Sequence, residues 1–263
     1  MTTVRDIYNE IDRHAPFASA EPWDNCGMLV GDWDSAVTKA VTALDITGDV
    51  ILEAERLGAQ VIVSHHPIIF HPLKQAAAAS TVGMLLKKGI SAICVHTPFD
   101  MSPEGMPAGL LRLLEKPLGL IASSEELLEE HGSLGIGRVY EMEKPLSPEH
   151  IAAAAKEALG CPFVRFTAPC EWETISKIAV SSGAGGSLVS AAVSKGAGGL
   201  ISGDLRHDAF VDSYAFGGIA LFDCGHFYTE RIFCGLMKDL LERALPELGI
   251  IPAESCTDPV KYI

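Results

Sequence analysis

Residues 41–66 read VTALDITGDVILEAERLGAQVIVSHH, and the order of patterns in this stretch decides the fold class. Val41-Thr42-Ala43-Leu44-Asp45 reads as a strand, residues 48–57 as a helix and Val61-Ile62-Val63 as a short buried strand. Strand, helix and strand at this spacing imply two parallel strands joined by a crossover helix, which is the α/β class. Working outward, a helix at 80–88 precedes the apolar run Ile90 to Val95, which repeats the unit. On the other side, residues 3–14 place Val4, Ile7, Tyr8 and Ile11 on one face of a helix.

The same order recurs further along. Ile178-Ala179-Val180 opens a strand, Ser187 to Lys195 reads as a helix, and Gly199 to Ser202 and Gly218 to Phe222 as further strands. Gly58-Ala59-Gln60-Val61-Ile62-Val63-Ser64 is similar to Gly196-Ala197-Gly198-Gly199-Leu200-Ile201-Ser202, and Gly89 to Ile93 is similar to Gly218 to Phe222. The unit occurs twice, which argues for two related lobes rather than a solenoid. The segment between them predicts a helix at 104–115, an acidic helical segment at 124–131, strands at 133–142 and 163–168, and a helix at 147–159. That last helix has Ser147 as its cap and Pro148 in first position. The expected architecture is α/β, with two similar three-layer-like lobes, residues 1–125 and 126–263, built on mixed, largely parallel sheets. No low-complexity linker separates them, so they are expected to pack as one unit.

Composition narrows the function classes. The 263 residues carry a formal charge of −14 and are 48% hydrophobic, which excludes a disordered chain. An acidic chain without a Lys/Arg cluster lacks the positive charge that binding a nucleic-acid backbone requires. No stretch of apolar residues is long enough for a membrane span, and the start, MTTVRDIYNEIDRHAP, lacks the apolar core of a secretory signal. The seven cysteines are odd in number and form no CxxC; they read as small core residues of a reduced, cytoplasmic protein.

In α/β sheets, sites form beyond the carboxyl ends of strands. His65, His66 and Pro67 follow the strand at 61–64; His96 and Asp100 follow the run ending at Val95; Asp204 and His207 follow Ser202; His226 and Glu230 follow Asp223. A single histidine after a strand is more often a hydrogen-bonded loop or core residue than a ligand, and His-His-Pro by itself could cap a turn. Four strand ends bearing His, Asp or Glu together point instead to a metal site. His226 and Glu230, four apart, share one side of a helical turn, whereas the neighbouring His65 and His66 diverge in extended backbone. Diverging imidazoles serve two ions more readily than one, and Glu230 or Asp100 can bridge them, so a dinuclear centre is expected.

Other stretches carry less. The glycine-rich segment Ser181 to Ser187 fails the dinucleotide fingerprint because Leu188 occupies the third glycine position. It is read as a tight turn between strand and helix. No G-x-S-x-G elbow is present. Trp23-Asp24-Asn25 either lines a site entrance or, by preference, stabilises a turn beside the first strand.

Five motifs in order, Pro22 to Gly31, Ser64-His65-His66-Pro67, His96-Thr97-Pro98-Phe99-Asp100, Ser202-Gly203-Asp204 with His207, and Gly225-His226 with Thr229-Glu230, resemble the NIF-three-like dinuclear metal proteins. These are commonly labelled GTP cyclohydrolase 1 type 2. The resemblance extends to Asp258-Pro259-Val260-Lys261-Tyr262. It implies metal coordination by His65, His66, Asp100, His226 and Glu230, with Glu230 as a bridge. It also implies two similar α/β lobes with the metal site between them, no inserted extra domain, and assembly as a homohexameric ring. The chain departs from the family pattern at Pro98-Phe99, where Asn-Leu is usual; Asp100 keeps its place.

The function expected from these residues is that of a hydrolase using two divalent ions per subunit, zinc, iron or manganese, to activate water against a small anionic substrate, a phosphoester or nucleotide. His207 and His96 are the candidates for proton transfer, although His96 orienting Asp100 is the preferred reading. Purine ring opening of GTP and a non-catalytic metal-binding or regulatory ring are the alternatives.

Overall fold

The computed structural model describes residues 1–169, 173–215 and 218–263; Cys170, one of the thiols counted above, lies outside them. The chain begins with α1 (Val4–His14), capped reciprocally. The Thr3 hydroxyl accepts from the Asp6 N–H at 3.2 Å while the Asp6 carboxylate accepts from the Thr3 N–H at 2.8 Å. Next come β1 (Gly27–Val30), β2 (Lys39–Ala43), α2 (Gly48–Leu57), β3 (Val61–Ser64), α3 (Thr81–Lys88), β4 (Ser91–Cys94) and the one-turn α4 (Thr97–Met101). Strands β2, β3 and β4 lie side by side and parallel, with Val41 opposite Ile62 and Ile62 opposite Ala92. β1 joins the β4 edge antiparallel.

The chain continues through α5 (Met106–Leu118), β5 (Glu126–His131), β6 (Leu134–Leu146), α6 (Pro148–Leu159), β7 (Arg165–Thr167), β8 (Ile175–Ala184), α7 (Val189–Ser194), β9 (Gly199–Gly203), α8 (His207–Ala215), β10 (Ala220–Asp223) and α9 (His226–Glu230). These strands form a six-stranded sheet in the order β5-β6-β8-β9-β10-β7. β8, β9 and β10 are parallel, and β5, β6 and β7 are added antiparallel. Ser147 caps α6 as expected, its hydroxyl accepting from the His150 N–H at 3.3 Å.

The chain then returns through α10 (Phe233–Ala244) to β11 (Gly249–Pro252), which pairs parallel with β2, Ile250 opposite Ala40. The first sheet is thus β1-β4-β3-β2-β11. Two compact units result, Met1–Gly105 with Phe233–Lys261, and Met106–Ile232 with Tyr262–Ile263. The division read from sequence, at 125/126, assigns α10 and β11 to the second lobe. Their hydrogen bonds place them in the first, because β2 offers β11 its free edge.

Both sheets are mixed, and each carries helices on both faces. In the first, Val41 and Ala43 pack with Val50, Ile51 and Ala54 of α2, while Thr42, pointing the other way, donates its hydroxyl proton to the Cys234 carbonyl of α10 at 3.0 Å. In the second, Ile178, Val180, Ile201 and Phe222 pack with Ile151 and Ala155 of α6. Their neighbours Ala179, Leu200 and Leu221 pack with Ala192 of α7 and Phe210 of α8. Burying a side chain such as Ile62 or Ile201, both fully buried, is worth about 1.5–3 kcal/mol.

Two local expectations are overturned. Residues 124–131 are not helical: Glu126–His131 is strand β5, paired antiparallel with β6, Leu127 opposite Arg138. Its acidity suits an exposed sheet edge. Glu126 pairs with Lys177 at 2.8 Å and Glu130 with Lys195 at 2.9 Å, while Leu128 alone is buried. The helix expected over 187–195 is shorter, a 3₁₀ turn at Gly186–Leu188 leading into α7. Among the described residues no helix is long and apolar enough to cross a membrane.

Candidate metal centre

In the first unit, β3 ends at Ser64 and delivers His65 and His66; β4 ends at Cys94 and delivers His96 and, on α4, Asp100. His65 is fully buried, its Nδ1 3.0 Å from the Val95 carbonyl. A carbonyl only accepts, so Nδ1 carries the ring proton and Nε2 presents its lone pair, 3.6 Å from Asp100 Oδ1. His66 Nδ1 donates to Asp45 Oδ1 at 2.8 Å, and His96 Nδ1 donates to Asp24 Oδ1 at 3.0 Å. The three rings lie 5.1–5.5 Å apart, and one nitrogen from each falls within 4.8 Å of the others. Asp100 is oriented by the backbone, its N–H donating to the His96 carbonyl at 3.2 Å.

Asp24 anchors His96 firmly. Burial pushes its carboxyl up, but hydrogen bonds from His96, the Cys26 thiol (2.9 Å) and the Thr97 hydroxyl (2.6 Å) together hold it well below the usual carboxylate range. The turn read for Trp23-Asp24-Asn25 and support of the histidine cluster are therefore one arrangement.

In the second unit, β10 leads through Gly225 into α9, which carries His226 and Glu230. His226 Nδ1 donates to Asp204 Oδ2 at 2.9 Å, and its Nε2 lies 2.8 Å from Glu230 Oε2. Asp204 holds a φ of 50°, rare without glycine. Gly183 makes room for the pair. Its φ is +59°, and a Cβ there would lie 2.1 Å from Glu230 Oε1. Its N–H donates to the Thr229 hydroxyl at 3.0 Å. The glycine-rich segment is not the tight turn expected of it: Ser181 to Ala184 continue strand β8, and Gly183 serves there to let β8 approach α9.

These residues fit divalent cations. All four imidazoles are pinned through Nδ1 by an acceptor, leaving Nε2 as the donor, the usual arrangement of metal-binding histidines. Two ligands bound to one ion lie roughly 2.8–3.6 Å apart. That is the range spanned by His65 with Asp100, 3.6 Å, and His226 with Glu230, 2.8 Å. Nitrogen and oxygen donors without thiolate suit zinc, iron or manganese. His207 belongs to none of the donor groups found among the described residues; it opens α8 and lines a shallow cleft with Arg165, Phe166, Thr167 and Tyr214. A larger cleft of about 720 Å³, at the ends of β8 and β9, is lined by Ser187, Ser190, Asp204, Arg206, Asp208 and Asp212.

Asp45 is a site residue that the sequence did not single out, and Asp24, read as part of a turn or a site entrance, proves to hold His96. Asp45 ends the first strand of residues 41–45, so attention to carboxyl strand ends, extended to that strand, would have found it.

The sequence profile of the Duf34/NIF3 (NGG1p interacting factor 3) family matches residues 2–259. The chain belongs to the DUF34/NIF3 family. Among its relatives, a "GTP cyclohydrolase 1 type 2 homolog" of Clostridium perfringens is 31% identical, covering 99% of both chains. A "GTP cyclohydrolase 1 type 2" of Helicobacter pylori is 30% identical over 92% of each. Of solved structures, a Staphylococcus aureus hypothetical protein superposes with a TM-score of 0.85 at 27% identity, covering 99% of both chains. A Bacillus cereus protein related to NIF3, 19% identical with 100% of this chain and 99% of its own covered, gives 0.88 and shows the shared fold. The DUF34/NIF3 assignment agrees with the resemblance read from the five motifs.

Proposed function

We propose that this protein is a metal-dependent hydrolase in which His65, His66, Asp100, His226 and Glu230 hold two divalent ions, Glu230 bridging, against a small anionic substrate such as a phosphoester or nucleotide. One observation carries the reading: an acceptor fixes the Nδ1 proton of each histidine in the set, so each Nε2 is committed to a cation or a proton. Divalent ions bound there would supply Lewis acidity toward water and toward the bond under attack. The chain's own residues set the geometry. Val95, Asp45 and Asp204 orient the imidazoles, His96 holds Asp100 through its carbonyl, and Gly183 leaves Glu230 its place. His96, whose ring lies 5.1 Å from that of His65 and 5.5 Å from that of His66, is the group assigned to proton transfer; His207, which opens α8 in a separate cleft, is given no step.

A second reading, opening of the GTP purine ring, is favoured by the name of the Helicobacter pylori relative. Asp208 and Asp212 in the larger cleft also favour it, since carboxylates accept from the N–H groups of a base rather than bind phosphate. Assembly as a hexameric ring belongs to the proposal through the resemblance, and a monomeric mass by light scattering would remove it.

The deciding experiment incubates metal-loaded protein with a panel of phosphoesters and nucleotides. Turnover abolished in His65→Ala supports hydrolysis. Formate release from GTP supports ring opening. Tight metal binding without turnover in either assay would leave a metal-binding or regulatory protein.

A further inference from the structure

Two exposed aromatic rings stand beside the histidine cluster of the first unit. Trp23 leaves 56% of its surface open and Phe70 44%, although large apolar side chains gain by burial. A single exposed apolar residue needs no explanation; these two are paired, their ring centroids 6.1 Å apart. Trp23 also meets the His96 ring edge-on at 5.8 Å, and His96 in turn lies 5.1 Å from His65 and 5.5 Å from His66. The backbone on either side of Trp23 holds it in place. The Glu21 N–H donates to the Thr97 hydroxyl at 3.0 Å, and the Asp24 N–H donates to the Glu21 carbonyl at 2.9 Å. The buried Asp24 carboxylate accepts from the Thr97 N–H at 3.1 Å. The Asn25 side-chain amide donates to the Ile69 carbonyl, which ties the loop of Phe70 to the same turn; residues 70–79 of that loop are all exposed. Trp23 is therefore anchored to the segment that carries His96.

We propose that Trp23 and Phe70 form a stacking platform for a planar heterocycle, so that the substrate of the neighbouring histidine cluster carries a nucleobase as well as its phosphate. The proposal rests on the hydrolytic reading given above and narrows its substrate from phosphoesters at large to nucleotides. Indole and phenyl rings stack on any base, because every base presents a π-face. Stacking also suits a chain of charge −14: the contact is uncharged, and the divalent ions are left to offset the phosphate. The spacing agrees. A base on Trp23 is separated from the rings of His65 and His66 by the width of one imidazole, that of His96, the interval that one sugar spans between base and phosphate. Stacking carries no hydrogen-bond code, so purines and pyrimidines are accepted alike.

The test titrates the zinc-loaded full chain with AMP, CMP and ribose phosphate by calorimetry. AMP and CMP should each bind roughly tenfold to hundredfold more tightly than ribose phosphate, the gain that stacking on aromatic side chains gives. Trp23→Ala should bring both nucleotides down toward the affinity of the sugar phosphate. Trp23→Phe, which keeps a ring, should retain most of the preference, and Phe70→Ala should lose a smaller part of it. Where the nucleotides turn over, Trp23→Ala should raise KM more than it lowers kcat. Affinity for AMP no greater than for ribose phosphate would overturn the proposal. So would a Trp23→Ala protein that keeps the preference but falls to a smaller mass by light scattering, since another copy of the chain would then be what covers the ring. The platform and the hydrolase fail separately. Tight AMP binding without hydrolysis removes the hydrolase and leaves a nucleotide-binding platform; equal kcat/KM for AMP and ribose phosphate removes the platform and leaves the hydrolase. The comparison of ligands needs no substitution, so a variant that fails to fold does not weaken it.

Discussion

Asp45 Oδ1 lies 2.8 Å from His66 Nδ1, joining the carboxyl end of β2 to the histidine that follows β3. The two strands are parallel neighbours, Ala43 pairing with Ser64, so sheet register alone brings the carboxylate under the ring. Replacing Asp45 with Ala frees the imidazole to rotate and to change tautomer. Metal affinity should fall about 10- to 100-fold, measured by competition with a chromogenic chelator, while circular dichroism stays unchanged. Asp45→Asn, which keeps an accepting oxygen, should lose less.

Glu230 faces His226 Nε2 at 2.8 Å and is almost fully buried. Glu230→Gln keeps the shape but removes the charge a bridging carboxylate needs. Elemental analysis should show metal content falling from two ions per chain toward one or none. Retention of both would rule out the bridge.

Gly183 should tolerate no side chain. Its positive φ and the 2.1 Å approach of a built Cβ to Glu230 Oε1 predict a loss of about 1–3 kcal/mol in Gly183→Ala, read from urea denaturation, with weakened metal binding. Gly186, three residues on, has open space and no positive φ; Gly186→Ala is the control and should cost little.

Stability should fall in acid through Glu53. Burial pushes its carboxyl up, but the Ser255 hydroxyl and N–H and the Glu254 N–H outweigh it and leave the carboxyl below its usual value. A lowered folded value stabilises above the unfolded pKa of about 4.3, and this contribution is lost as pH falls through the folded value. Denaturation midpoints should therefore drop below about pH 4.3, and Glu53→Gln should flatten that limb while costing about 1–3 kcal/mol at neutral pH.

The sequence revealed the parallel strands and their crossover helices because buried strands such as Val61-Ile62-Val63 are short apolar runs separated by amphipathic helices. It revealed the metal-ligand candidates because parallel strands collect residues at one end of a sheet. It did not reveal β5, whose glutamates read as helical when its strand pairing with β6 is ignored. It also did not reveal that β11 belongs to the first sheet, since pairing between distant segments leaves no local periodicity. The hold of Asp24 on His96 and of Asp45 on His66 was hidden for a related reason: each depends on a hydrogen bond to a histidine far along the chain, and an aspartate after a turn or strand looks the same with or without one.

The pairing of Ile250 with Ala40 bears on how the protein is made. During translation, β2 leaves the ribosome long before the strand that covers its edge, and all of α5 to α9 is synthesised in the interval. A nascent chain halted near Ile232 would display bare β2 backbone amides and carbonyls, a template for unwanted association. Chaperone dependence should therefore be greatest for the front of the polypeptide, which waits on its own tail for closure.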